Sequence, residues 1–355
     1  MYRLILATAF LFALAITRVV PAADRFVSTA GGDAANDCLS SVSPCRTVAR
    51  GLAEAASGDT VKVGAGTYHE NVSVSTPITL TLSGGWAADF STQDPVAMPS
   101  VLQAAIDLPV VTVVANGIAI TFAADGLTVQ GGRNAAGLFG TPCQENLGGG
   151  ICADARAGGS LNVALSRVLL QRNQAAEEGG GLAVKARDGG TSLALTVTNS
   201  TVTRNAAAGG GGIGINSDQN ATVSVTLDGV LLKKNRAPAP HEIATPVGGG
   251  LAVSAGGFLP VGQNAQVLVQ NCVFDGNRVT RSDGFDGQGG GIFAVNTGCQ
   301  MGSCPIKVVN SVFVRNHAQI AAGVEVGGCR ASERNGNEEW RDVAGRHGSR
   351  GGCRG

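Results

Sequence analysis

The chain repeats one short pattern several times, and this repeat constrains its fold more than any other feature. Each copy is a run rich in Val, Leu, Thr or Ser that ends in an apolar residue, two variable residues and an asparagine. The asparagines lie 32, 30, 42 and 39 residues apart. They are Asn173, Asn205, Asn235, Asn277 and Asn316. Constant anchors at unequal spacing indicate stacked repeats whose extra residues are confined to one loop.

A glycine cluster and a second apolar run complete most copies. The chain contains 53 glycines, and the triplets that directly precede these runs start at Gly148, Gly179, Gly210, Gly248 and Gly289. Runs such as residues 193–198 alternate with the period of a β-strand, and no helical period appears, which excludes ankyrin-like and tetratricopeptide-like arrays. The pattern therefore predicts a parallel β-solenoid. We expect its asparagines to adopt the left-handed backbone conformation at a sharp corner and to hydrogen-bond along the stack.

The two ends of such a rod need covers, because unpaired strand edges invite aggregation. Residues 58–330 would form roughly nine coils of about 30 residues at the usual strand spacing. The preceding segment, residues 24–57, is predicted to cap the first coil with a short helix, because Val48, Leu52 and Ala55 or Ala56 share one helical face. Residues 331–355 are rich in charge and lack a strand pattern, which indicates a disordered tail or the product of a truncated or frame-shifted reading frame.

The first residues have the pattern of a secretory signal. Arg3 precedes an apolar run from residue 4 to residue 16, and small residues follow up to Ala23. The run is too short to span a bilayer. We therefore predict a signal peptide at residues 1–23 and a mature chain without a transmembrane helix, located in the secreted fraction, at the cell surface or at the outer membrane.

Nine cysteines fit an oxidising compartment, and their spacing favours local disulfides. A zinc site is the alternative, but the chain has no Cys-x-x-Cys motif and its four histidines are scattered. Three further cysteines, among them Cys272, stay unassigned. The predicted disulfides are Cys38–Cys45, Cys143–Cys152 and Cys299–Cys304.

Composition excludes two broad classes of protein. The 26 Lys and Arg residues balance 26 Asp and Glu residues, and aromatics make up only 4% of the chain. Nucleic-acid binding is therefore not expected, since neither a basic surface nor a stacking platform is present. An apolar content of 44% is sufficient to bury a core, which argues against disorder.

Two stretches of the chain resemble known β-helix families. Residues 58–72, preceded by Cys38, Cys45 and the short helix, resemble the opening of secreted right-handed parallel β-helix proteins of the pectin lyase-like superfamily. The repeats that end in Asn277 and Asn316, together with the glycine cluster at Gly289, are similar to the FxxN and GGAI repeats of polymorphic outer-membrane proteins. The resemblance covers about residues 25–328 and implies an all-β, right-handed parallel β-helix.

Three functions are compatible with these features. The first is an exported or cell-surface protein with a structural, adhesive or carbohydrate-binding role, whose partners are polysaccharides or surface proteins and which needs no cofactor. The second is a polysaccharide lyase or glycoside hydrolase, which the superfamily resemblance implies and which alone would call for Ca²⁺. The third is a truncated, inactive gene product.

The enzyme hypothesis requires carboxylates and a base on one face of the solenoid. Asp188 and Asp218 follow glycine-cluster strands in consecutive coils and are candidates for a catalytic pair. Asp283 and Asp286, in the long loop before Gly289, are candidate ligand-binding residues. The alternative for all four is ordinary turn chemistry. The other charged candidates are Asp154 with Arg156, Lys185 with Arg187, and His241 with Glu242.

Overall fold

The structure is a computed structural model, and its regular secondary structure is almost entirely β-strand. It describes residues 21–134, 143, 146–218, 220–238, 246–255, 264–280, 287–296, 306–319, 324–326, 329–331, 333–335 and 339–341. Within these residues the chain forms 32 strands and one α-helix.

The N-terminal half begins with a strand and the helix and continues with short strands. Its elements are β1 (Asp24–Val27), α1 (Val48–Glu54), β2 (Thr60–Gly64), β3 (Gly66–His69), β4 (Val72–Val74), β5 (Ile78–Trp86), β6 (Ser100–Gln103), β7 (Val111–Asn116), β8 (Ala119–Asp125), β9 (Leu127–Gln130), β10 (Arg133–Asn134), β11 (Ile151–Arg156), β12 (Ser160–Ser166), β13 (Leu169–Gln171), β14 (Gln174–Ala175) and β15 (Leu182–Ala186).

The C-terminal half repeats the same order of strands. Its elements are β16 (Ser192–Thr198), β17 (Thr201–Thr203), β18 (Ile213–Ser217), β19 (Thr222–Asp228), β20 (Leu231–Lys233), β21 (Arg236–Ala237), β22 (Leu251–Ala255), β23 (Asn264–Gln270), β24 (Val273–Asp275), β25 (Arg278–Val279), β26 (Ile292–Asn296), β27 (Ile306–Val309), β28 (Val312–Val314), β29 (Val324–Val326), β30 (Cys329–Ala331), β31 (Glu333–Asn335) and β32 (Glu339–Arg341).

Three long sheets run along the rod, and each strand pairs in parallel with the equivalent strand of the next coil. Sheet 1 has nine strands, in the order β1, β2, β5, β8, β12, β16, β19, β23 and β27. Sheet 2 contains β3, β6, β9, β13, β17, β20, β24 and β28. Sheet 3 contains β4, β7, β11, β15, β18, β22, β26 and β29, with β30 antiparallel at its end. The predicted parallel β-helix of roughly nine coils is confirmed.

Aliphatic side chains from the three sheets fill the interior in continuous columns. In sheet 1, Leu161 and Leu165 of β12 pair with Leu193 and Val197 of β16, and all four are buried. Their neighbours along the strand point outward, which produces the period of two seen in the sequence. Because each fully buried Leu or Val contributes about 1.5–3 kcal/mol, the stacked columns supply most of the driving force for coiling.

The five repeat asparagines form a ladder along one corner, and the first four of them are buried. Oδ1 of Asn205 accepts hydrogen bonds from Asn173 N at 2.9 Å and from Asn173 Nδ2 at 3.2 Å. Asn173 Nδ2 also donates to the carbonyl of Val129 in the preceding coil, at 3.0 Å. The same contacts recur at the next three asparagines. The predicted hydrogen bonding along the stack is confirmed.

The prediction that these asparagines adopt the left-handed backbone conformation is wrong, because that conformation occurs one residue earlier. The positive φ angle belongs to the preceding residue, with φ 55° at Arg172, 57° at Arg204, 55° at Lys234 and 54° at Arg315. The asparagines themselves do not have positive φ. Their side chains must turn inward to reach the neighbouring coil, so the tight turn falls on the outward-pointing residue before them.

Helix α1 covers the first coil, as predicted. Thr47 caps it by accepting a hydrogen bond from Arg50 N, and the carboxylate of Glu70 accepts from Val48 N and Ala49 N. Gly51 allows the close approach, since a Cβ there would lie 2.7 Å from Val27 Cγ2 and 2.9 Å from a methyl group of Val61. The predicted apolar face is confirmed, because Val48 is buried and Leu52 and Ala55 pack against the core. The segment predicted only as a cap also supplies β1, the first strand of sheet 1.

Two of the three predicted disulfides are confirmed. Cys38–Cys45 closes a loop beside α1, and Cys143–Cys152 ties the segment before β11 to that strand. Cys272 is a buried free thiol. The remaining predicted sites, residues 1–20, His241, Glu242, Asp283, Asp286, Cys299 and Cys304, lie outside the described residues.

Two further features concern the membrane and the C-terminal segment. None of the described helical residues forms a span long and apolar enough to cross a bilayer. In the segment predicted to be a disordered tail, the structure describes the antiparallel pair β31–β32 and the end of β30.

Candidate functional site

The outward face of sheet 3 carries a compact group of charged and amide side chains. In β11, Ile151, Ala153 and Ala155 point into the core, so Asp154 and Arg156 point outward. Asp154 pairs in register with Lys185 of β15, and Lys185 pairs with Asn216 of β18. These three residues are the first row of what we call the charged patch.

A second row lies beside the first. Ala155 pairs with Ala186, and Ala186 pairs with Ser217, so the residues that follow them are aligned as well. Arg187 N donates to the carbonyl of Ala155, and Asp218 N donates to the carbonyl of Ala186. The second row of the charged patch is therefore Arg156, Arg187 and Asp218. Most of these residues were candidates in the sequence, and the coil register brings them together across three strands.

A short segment covers one end of the charged patch. This roof consists of Cys143 and residues 146–150, and the Cys143–Cys152 disulfide ties it to β11. Leu147 packs with Val114 and Ala183 in a small apolar cluster outside the main core. Asn134 holds the roof from below by donating hydrogen bonds to the carbonyls of Cys143 and Leu147, at 2.6 and 2.8 Å.

Under the roof, Asp154 is fully buried and ionically paired. Its carboxylate forms a salt bridge with Arg156 and accepts a hydrogen bond from Cys143 N at 3.3 Å. Asp154 has 0% exposed surface. A buried carboxylate with a charged partner and a backbone donor is a satisfied structural group, because removing either partner would leave its charge uncompensated.

The sequence analysis missed Asn216, which only the coil register identifies, and Glu178. Glu178 lies in the loop between β14 and β15 and reaches over the sheet at Gly214, where an added Cβ would come within 3.1 Å of Glu178 Cβ and 2.7 Å of Gly179 N. Its Oε1 accepts a hydrogen bond from Asn216 Nδ2 at 3.2 Å. A glycine at an outward strand position was the available signal, since it leaves room for a loop to descend onto the sheet.

The environment of Glu178 alters its protonation. Burial raises the pKa of its carboxyl above the usual value, and the charges of Asp218 and Glu177 act in the same direction. The hydrogen bond from Asn216 and the charge of Lys185 oppose this increase without cancelling it. A carboxyl group with a raised pKa beside a lysine and an amide is a candidate for proton transfer.

The structure gives Asp188 and Asp218 different positions. Asp188 occupies the turn after β15 with φ 75°, and its Oδ2 accepts a hydrogen bond from Ala157 N of the preceding coil at 3.0 Å. Asp218 aligns with Arg187 and not with Asp188. The two carboxylates are thus in consecutive coils but one register position apart, and that of Asp188 supports a turn.

The outward face of sheet 1 has a different chemistry, because two of its side-chain rows between β5 and β23 carry no charge. Charged residues border these rows, with Asp125 and Asp228 in the next row and Lys307 of β27 beside Leu268. Two rows of small side chains cross six successive strands in register, and those of the first row are all exposed. We call these rows the uncharged face. The first row is Thr79, Thr121, Asn162, Ala194, Ser224 and Gln266, and the second is Thr81, Ala123, Ala164, Thr196, Thr226 and Leu268.

Comparison with known proteins adds no family to this description. The chain matches no protein-family model, no curated protein and no solved structure. Among the described residues, no group of three or more His, Cys, Asp or Glu side chains is arranged to hold a metal ion. The two outward faces are therefore the observations from which a function is inferred.

Proposed function

We propose that the chain is an exported rod that acts by binding, and that it binds an uncharged polysaccharide along the uncharged face. The observation that carries this proposal is the regularity of that face. Strands lie about 4.8 Å apart and alternate side chains along a strand about 7 Å apart, so the hydroxyl and amide groups form a flat lattice.

The chemistry of the uncharged face suits a neutral, hydroxyl-rich polymer. Binding there desolvates hydroxyl, amide and methyl groups but no ion, and burying an unpaired ion would cost far more than burying a hydroxyl group. The side chains are short and stand on a rigid sheet, so little conformational entropy is lost when they are ordered. Many weak, periodic contacts can then add up along an extended ligand.

The disulfides support export. Disulfides persist in secreted and surface proteins and are rare in the reducing cytosol. The proposed location is the secreted fraction or the cell surface, including the outer membrane, and the proposed activity needs no cofactor.

Binding to insoluble neutral polysaccharides tests the proposal. Purified, folded protein is mixed with cellulose, chitin or β-glucan particles, and the amount left in solution is measured. The double variant Asn162→Arg/Ser224→Arg places two long cations on the uncharged face and should reduce retention at least tenfold. Thr203→Arg is the matched control, because it introduces the same side chain on β17 of sheet 2. Equal retention of the double variant and the unsubstituted protein would contradict the proposal.

A second candidate function, a polysaccharide lyase or glycoside hydrolase, is favoured by one observation. Glu178 combines a raised pKa with proximity to Lys185 and Asp218, which is the kind of environment that general acid–base catalysis uses. The test is a screen of acidic and neutral polysaccharides, with and without Ca²⁺, for unsaturated products and new reducing ends. Turnover that disappears in Glu178→Gln or Asp218→Asn would support the enzyme. Folded protein with neither binding nor turnover would support the inactive gene product.

A further inference from the structure

Lys185, Asn216 and Glu178 form a group whose chemistry the proposed polysaccharide binding does not use. Lys185 and Asn216 are direct register partners on the parallel strands β15 and β18, and both side chains point outward. Partner residues on neighbouring strands lie about 4.8 Å apart, and side chains on one face stand next to each other. The four-carbon stem of a lysine is long enough to bring Nζ to the amide carbon of this neighbour.

The carboxyl group of Glu178 lies next to the side-chain amide of Asn216. Its Oε1 lies 3.2 Å from Asn216 Nδ2. The loop that carries it is held close to the sheet, since Glu178 Cβ and Gly179 N pack over Gly214 of β18. The packing of the backbone around Glu178 therefore holds its carboxyl group next to the Asn216 amide, in addition to the hydrogen bond between the two side chains.

The Asn216 amide itself is only half satisfied. Among the described residues, its Oδ1 is buried and accepts no hydrogen bond. A buried, unsatisfied amide oxygen destabilises a fold, so it needs an explanation. In the observed orientation Nδ2 faces the carboxyl of Glu178, so that carboxyl is placed to protonate Nδ2 as it leaves.

We propose that Lys185 and Asn216 become joined by an intramolecular isopeptide bond, with Glu178 as the residue that transfers protons. The Lys185 ammonium first passes one proton to the Glu178 carboxylate. The neutral Nζ then attacks Asn216 Cγ, so that the Nζ–Cγ bond forms and the Cγ–Nδ2 bond breaks. Glu178 gives its proton to the departing Nδ2 and takes a remaining proton from Nζ, and one molecule of ammonia leaves. The reaction needs no oxidant or other co-reactant.

The properties of Glu178 fit this sequence of proton transfers. Because burial raises the pKa of its carboxyl, Glu178 accepts a proton more readily than an ordinary glutamate does. The nearby charge of Lys185 interacts with the same carboxyl. Moving one proton converts these two charges into a neutral acid and a neutral amine, which partial removal from water favours.

The bond would tie two successive coils covalently. Coils are otherwise held by hydrogen bonds and apolar columns, which separate one after another when a solenoid is unfolded from one end. A cross-link between β15 and β18, near the middle of the described rod, would stop this separation.

Mass spectrometry of the purified, folded full chain tests the proposal. The expected intact mass is lower than the mass of the chain without the bond by one ammonia. Tryptic digestion should leave the chain uncleaved after Lys185 and give one branched peptide that contains Lys185 and Asn216. Glu178→Gln and Lys185→Arg should each show the full mass and normal cleavage elsewhere. Lys233→Arg is the matched control and should retain the ammonia deficit, because Lys233 lies on sheet 2.

Circular dichroism and thermal melting of each variant show whether it is folded. Folded, unsubstituted protein at full mass would overturn the proposal. A mass loss of one ammonia that maps to a succinimide at Asn116–Gly117, with normal cleavage after Lys185, would also overturn it. Retention of the branched peptide in a folded Glu178→Gln variant would overturn the role of Glu178.

Discussion

The outward faces of sheet 1 and sheet 3 belong to the same coils but differ in almost every property. Both sheets point aliphatic residues inward at equivalent positions, as Leu193 in β16 and Val184 in β15 do. Outward, sheet 1 presents exposed residues such as Asn162, whereas sheet 3 buries Asp154 beneath a disulfide-tied roof. The repeat therefore determines which residues lie in the interior and at the corners, whereas the outward residues differ in charge and polarity from one sheet to another.

The largest expected effect comes from breaking what the two faces share, the asparagine ladder. Asn205→Ala removes the acceptor of Asn173 N and Nδ2 and the donor to Leu170 O. Because several buried polar groups lose their partners, we expect a loss of about 2–4 kcal/mol in the free energy of unfolding. Urea denaturation measures it. Asn162→Ala is the matched control on the exposed face, and equal losses in the two variants would show that the ladder does not hold the coils together.

The next largest effect is expected at the roof alone. The double variant Cys143→Ser/Cys152→Ser opens a short loop, for which the chain-entropy estimate is about 2–3 kcal/mol. The destabilisation should be local to sheet 3 and should appear as faster amide hydrogen exchange at β11 and β15. Exchange in β12 and β16 of sheet 1, and binding to neutral polysaccharide, should not change. Uniformly faster exchange in both sheets would contradict the separation of the two faces.

A smaller effect should distinguish the two faces, because the stability contributed by Glu178 at the charged patch depends on pH. The folded-state pKa of Glu178 lies above its unfolded value near 4.5. The contribution of Glu178 to the free energy of unfolding is therefore fully present below the unfolded pKa and is lost as the pH rises through the folded pKa. Stability measured by urea denaturation should fall with rising pH in this window, and Glu178→Gln should flatten the curve. Asp59 does not interfere. Burial alone would raise its pKa, but hydrogen bonds from Ala56 N, Ala23 N and Arg25 lower it, so it titrates below this window.

The smallest effect is expected on the uncharged face itself. Asn162→Arg replaces an exposed side chain for which the described residues provide no hydrogen-bond partner, so the free energy of unfolding should change by less than about 0.5 kcal/mol. Thermal melting measures it. A large destabilisation would mean that this face is part of the structural framework, and the binding variants above would then need another position.

Much of the fold was predictable because it depends on local patterns. The asparagine positions, the period of two in runs such as residues 193–198, and the apolar face of α1 each follow from short-range geometry. The disulfides Cys38–Cys45 and Cys143–Cys152 were predictable from their spacing. The position of the left-handed residue was not, since it depends on which of two adjacent side chains points inward, and that is decided by the stack.

The site was predictable only in part. Asp154, Lys185 and Asp218 were candidates, but only the coil register shows that they share a face. Glu178 comes from a loop, whose path depends on the room above Gly214 and not on any period. The sequence also did not reveal that Asp188 and Asp218 are one register position apart. A difference of one residue in a turn changes which residues are aligned in neighbouring coils.

The most direct test of the account is the salt dependence of binding to a neutral polysaccharide. Binding through the uncharged face displaces no ions, so retention on cellulose, chitin or β-glucan particles should be the same at low and high salt. It should also survive Lys185→Ala/Arg187→Ala and be lost in Asn162→Arg/Ser224→Arg. Retention that falls steeply with salt and disappears in the Lys185→Ala/Arg187→Ala variant would contradict the account and locate binding at the charged patch.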